Sequence, residues 1–231
     1  ARRRHRHRRP CVLDGRGLIA RTLGTGSFVA LAVLWPGSAL AHSPIAGIGA
    51  FYNAMLHPVI VPTHAIGLAA VGLLLGQDAP RGSRLSLPAF VGALGLGVAG
   101  GAVLSEPTFG VAIGTMLLVL GLLSGLMVAL SWRNGLLAAL LAAGVGLALG
   151  LDTAGDLLAE GGGGMALSQR TALSLLGAWL GAVLVVTLIG GAASALVRPW
   201  QKIGIRALGS WIVAAASMVL ALQFAQPVVT S

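Results

Sequence analysis

Phe51 to Gln77 reads FYNAMLHPVIVPTHAIGLAAVGLLLGQ. The run is long enough to cross a bilayer, which takes about 20 apolar residues, yet it contains His57, Pro58, Pro62 and His64. A polar ring within hydrocarbon is costly, and a proline interrupts the helical hydrogen-bond ladder. A segment that keeps both reads as a broken membrane helix with a functional end.

Further apolar runs follow it. Six in all lie near 51–76, 87–105, 109–131, 135–152, 167–196 and 203–225, the fifth being long enough to tilt. Composition agrees, with 56% hydrophobic and 9% charged residues and a mean hydropathy of +0.91, which excludes an ordinary soluble domain. The fold expected is therefore all-α: a polytopic membrane bundle of six transmembrane helices behind an N-terminal leader.

The net charge of +9 is concentrated in that leader, where eight arginines against Asp14 supply +7. Residues 1–41 read as a basic n-region and signal peptide. An apolar run from Phe28 to Leu34 precedes small residues at Ala39 and Ala41, which suit a signal peptidase. Cleavage there would leave His42 at the start of a single transmembrane domain, 42–231. Pro10 spoils a twin-arginine reading of Arg8-Arg9, and the single cysteine, Cys11, also falls in the leader. With the charge so placed, no nucleic-acid partner is expected.

Lys and Arg mark cytoplasmic loops. Arg81 and Arg84, Arg133, and Arg198, Lys202 and Arg206 occupy the first, third and fifth loops, whereas Glu106, Asp152, Asp156 and Glu160 fall in the second and fourth. Both mature termini are thus expected outside, on the periplasmic side of an inner membrane. Small-xxx-small pairs (Gly72/Gly76, Gly97/Gly101, Gly110/Gly114 with Gly121/Gly125, Gly146/Gly150, Gly177/Gly181) predict close helix packing. Gly161 to Gly164 read as a linker.

The mature chain holds three histidines, His42, His57 and His64, all at its outer N-terminal end. Imidazole is a common ligand for nickel, cobalt, copper and zinc. His57 and His64 share a helical face but would stand about 10.5 Å apart along a straight helix. Only a break at Pro58 or Pro62 would let both reach one ion. Asn53, one turn before His57, would add an oxygen ligand or orient a ring, and His42 would offer its α-amine as well as its ring. Spacing alone leaves two accounts open, metal capture and hydrogen bonding within the bundle.

The run LHPVIVPTHAIGLAAVGLLLGQ resembles the signature of the HupE/UreJ family of nickel and cobalt permeases. In that signature an outer His-Pro opens a segment of the form His, five residues, Asp-His, followed by an apolar stretch; His57-Pro58, His64 and Ala70-Val71-Gly72-Leu73 stand at its positions. The resemblance implies a six-helix inner-membrane permease for a divalent transition metal, binding through His57 and His64 and needing no nucleotide; His42 and Asn53 join them by their placement alone. The chain departs from the pattern at Thr63, where the motif carries an acid, and in its fourth span, where the family tends to carry histidines. That region has only Asp152, Asp156 and Glu160, which read as a solvated outer loop.

No nucleophile, acid-base pair or nucleotide fingerprint emerges, so no enzyme is expected. Ser105, Thr115, Ser124, Thr187 and Ser194 read as interhelical hydrogen bonders, and Trp132 and Trp200 as interface anchors. Besides lipid and metal, a rival reading makes the chain a non-transporting accessory or homo-oligomeric subunit of a membrane complex. Another uses a histidine as an axial haem ligand.

Overall fold

The computed structural model describes residues 48–77, 83–101, 107–160 and 169–225. Within them are seven helices: α1 Gly49–Ile60, α2 Pro62–Gln77, α3 Ser83–Gly101, α4 Pro107–Leu130, α5 Gly135–Glu160, α6 Gln169–Ala195 and α7 Pro199–Ala225. Helices α3 to α7 are each long and apolar enough to span a membrane, and α1 with α2 passes the same test together as a bent pair, with the geometry of a broken span or a re-entrant loop. The protein is a polytopic helical membrane bundle. The leader 1–41, His42, Arg81, Ser105, Glu106 and the Gly161–Gly164 tract lie outside the described residues.

The first span divides where its prolines direct. Val61 has φ −77° and ψ 116°, the extended conformation that a following proline ring imposes on its neighbour. Helix α1 therefore closes with the Val61 N–H on the His57 carbonyl at 3.1 Å. Pro62, which has no N–H to satisfy, begins α2. The two axes differ by 75°.

Helix α2 is the centre of the bundle. It packs against each of the other six described helices, and Gly67, Leu68 and Ala70 to Gly76 are buried. Leu68, Val71 and Leu75 join Leu117, Val145, Leu149 and Val186 in one apolar core.

Most of the glycine pairs mark contacts inside this bundle. An added Cβ at Gly177 or Gly181 would run into the backbone carbonyl oxygens of Phe51 and Met55, so these two glycines seat α1 directly on α6. Gly97 and Gly101 lie against α5, and Gly146 and Gly150 against the backbone of α3 around Phe90 and Leu94. Gly114, by contrast, has nothing within 4 Å.

The far end of the bundle from His57 is closed by caps. Ser131, with φ 54°, ends α4 in the left-handed conformation, and Trp132 N–H returns to Met127 O at 3.0 Å while Ser131 N–H returns to Val128 O at 3.1 Å. That is a Schellman motif with serine at the position glycine usually takes. Gln77 Nε2 donates to Val128 O at 3.1 Å and Arg206 Nε to Ala129 O at 3.0 Å, covering carbonyls that a helix end leaves open. Trp132 and Trp200 are exposed at this end.

Three sequence expectations need correction. The fourth span does not stop at 152: α5 runs on to Glu160, because Ala154, Leu157, Leu158 and Ala159 favour helix and the single Gly155 between them costs only about 1 kcal/mol, too little to end it before the glycine tract. Asp152 and Asp156 are therefore helical residues one turn apart, not members of a solvated loop. Nor do the hydroxyls bridge helices as expected. Ser124, Thr187 and Ser194 donate to carbonyls of their own helices. Thr115 is the exception, lying 2.8 Å from its own Val111 O and 3.3 Å from Gln223 Oε1 on α7.

Candidate functional site

The break at Val61 turns the ends of α1 and α2 toward each other. His57 lies near the end of α1 and His64 in the first turn of α2, and their ring centroids are 5.5 Å apart with planes at 62°. A continuous helix would have held them about 10.5 Å apart along its axis. Both are buried, His64 completely.

The long α5 brings carboxylates to them. His64 Nε2 is 2.8 Å from Asp152 Oδ2, a charge-assisted hydrogen bond in a buried setting. His57 Nε2 is 3.6 Å from Asp156 Oδ2, longer than a good hydrogen bond. Exposure grades from one pair to the other: the side chain of Asp156 is 42% exposed and that of Asp152 16%, while His64 has none. The constellation thus runs from a buried pair, His64 with Asp152, to a more exposed one, His57 with Asp156.

Of the sequence-derived candidates, His57 and His64 come together. Asn53 is on α1 and half-buried, its Nδ2 donating to Gly49 O at 3.1 Å in its own helix. His42 lies outside the described residues. Asp152 and Asp156 were legible only as loop acids, although one signal was present: an even number of crossings separates the fourth loop from His57, which puts both at the same side of the membrane. Thr63, which stands where the motif has its acid, is half-buried. A carboxylate reaches His64 all the same, from 88 residues away in sequence.

Among the described residues, no group of three or more His, Cys, Asp or Glu is already gathered about one point suited to a metal ion. The four side chains stand as two histidine–aspartate pairs. Among the described residues, His64 Nδ1 and Ser86 Oγ are buried with no hydrogen-bond partner.

No protein family, characterised protein or solved structure matches the chain. The site has therefore to be read from its own chemistry. Imidazole nitrogens and carboxylate oxygens together suit borderline divalent ions such as nickel, cobalt and zinc. Two acids also make this cluster attractive to cations.

Proposed function

We propose that the protein binds a divalent transition metal at the outer ends of α1, α2 and α5 and carries it across the inner membrane, as HupE/UreJ permeases of nickel and cobalt do. The observation that supports this most is the juxtaposition of His57 and His64 at a helix break, each facing an aspartate of α5. Ionisable groups within a membrane bundle are expensive and mark ion pathways, and a discontinuous helix is where transporters place their sites.

The lysine and arginine distribution puts the His57 end outside, so the open Asp156 side receives the ion. In this reading the apolar core around Leu68, Val71 and Val145 separates the site from the inner side, as the outward-facing member of an alternating pair would require. The membrane potential supplies a drive of about 2.3 kcal/mol per charge per 100 mV, roughly twice that for a divalent ion. No nucleotide is needed.

Uptake of radioactive nickel by cells expressing the wild type and the His57→Ala, His64→Ala double variant tests this. The variant should take up no more than cells lacking the protein, at equal membrane abundance. Equal uptake by both proteins would refute transport through this site.

The accessory-subunit reading draws on α7, of whose length only 17% is buried and whose Trp211 and Phe224 point outward. A stoichiometric partner retained in mild detergent, with no metal bound, would favour it.

A further inference from the structure

We propose that a basic row at the start of α7, Arg198, Lys202 and Arg206, holds the headgroup of an anionic phospholipid against the end of α4. The metal site plays no part in it. The three cations recur at every fourth residue, which stacks them on one face of the helix. All three are exposed, as is Arg133 just beyond α4.

Contacts lay this row along α4. Arg206 Nε donates to Ala129 O at 3.0 Å, which holds the guanidinium beside the last turn of α4 while its terminal nitrogens carry further N–H donors. Gly209, three residues on, is buried, and a Cβ added there would stand 2.8 Å from Ala129 N. The described acids, Asp152, Asp156 and Glu160, belong to the last turns of α5, at the opposite end of the bundle. Among the described residues, no carboxylate stands near the row.

Two local effects oppose such a row. Like charges one turn apart repel, and the positive end of a helix dipole disfavours cations in the first turns, where α7 carries no acid. An anion beside the row offsets both. Retention of cations on one side of a membrane accounts for their number. It does not account for their alignment along α4.

The spans of the bundle end here, so headgroups meet this surface. Trp132 and Trp200, exposed at the same end, mark the interfacial level. Leu130 and Ile203, next in sequence to Ala129 and Lys202, are exposed as well and give acyl chains an apolar surface. Basic pockets between membrane helices take anionic headgroups in this way.

Native mass spectrometry of the full chain, titrated with phosphatidylglycerol or with phosphatidylcholine of the same acyl chains, tests this. The first phosphatidylglycerol should bind more tightly by about five-fold per cation, on the order of 100-fold for the row. Arg198→Gln combined with Lys202→Gln should cut that preference to about five-fold, since Arg206 and its bond to Ala129 O remain. Arg84→Gln is the control, because Arg84 is exposed on α3 whereas α7 packs on α4 and α2. It should bind as the wild type does. Equal affinity for both lipids, or an equal loss from Arg84→Gln, would overturn the proposal, the second by leaving only a diffuse surface charge. Displacement of the lipid by an equal concentration of inorganic phosphate would also overturn it, in favour of a free anion. Should the double variant fail to fold, the wild-type preference and Lys202→Gln, expected to lose about five-fold, decide.

Discussion

Replacing Gly181 by alanine probes how α1 is held. The ideal Cβ would run into the Met55 carbonyl oxygen and stand 2.9 Å from Met55 C and 3.1 Å from its Cα, where ordinary contact begins at 3.4 Å. The shortfall at the carbonyl carbon alone is 0.5 Å, and backbone cannot rotate out of the way as a side chain can. Helix α1 must therefore lift from α6. Overpacking of this kind costs about 1–3 kcal/mol, against which alanine returns up to about 1 kcal/mol of helix propensity. With the full return a net loss of about 0–2 kcal/mol is expected by the same figures. Gly191→Ala on the same helix is the control, since nothing lies within 4 Å of its added Cβ. It should be neutral or stabilising. Reversible unfolding in mixed detergent micelles, followed by circular dichroism, measures both. Because His57 is two residues beyond Met55, Gly181→Ala should also weaken Ni2+ binding, while the bond from His64 to Asp152, carried by α2 and α5, survives. A Gly181→Ala protein as stable as Gly191→Ala would refute the seating of α1 on α6.

Other outcomes follow from the same geometry. Pro62→Ala removes the steric bar that holds Val61 extended; α1 and α2 should move toward a continuous helix, and Ni2+ affinity should fall as the rings part from 5.5 Å, whereas unchanged affinity would mean that packing alone holds the break. Ser131→Gly relieves a left-handed serine at φ 54° and should stabilise the bundle by about 1 kcal/mol in the same unfolding assay; no gain would show the strain to be compensated elsewhere. Asp156→Asn should slow metal capture at low concentration with little change in maximal uptake. Asp152→Asn should reduce maximal uptake, and the reverse pattern in transport kinetics would contradict the assigned order of the two acids.

Hydropathy alone made the spans legible, because a lipid-facing helix must be apolar over a length set by the bilayer. Each observed helix overlaps its expected run, and the prolines foretold the break because proline acts on its immediate neighbours. The chemistry at the break was only half legible. His57 and His64 declared themselves as polar residues in an apolar run, and their spacing posed the question that the 75° bend answers.

Asp152 and Asp156 did not declare themselves. They sit where hydropathy falls and glycines begin, so composition assigned them to a loop, whereas helix propensity carries α5 past them to Glu160. Which imidazole meets which carboxylate depends on how α5 is rotated against α2, and that is set by side-chain packing of Val145 and Leu149 against Leu68 and Val71 in the shared core. Helix length, helix breaks and membrane side are consequences of local sequence and solvent. The pairing of His64 with Asp152 is a long-range contact, and only tertiary packing decides it.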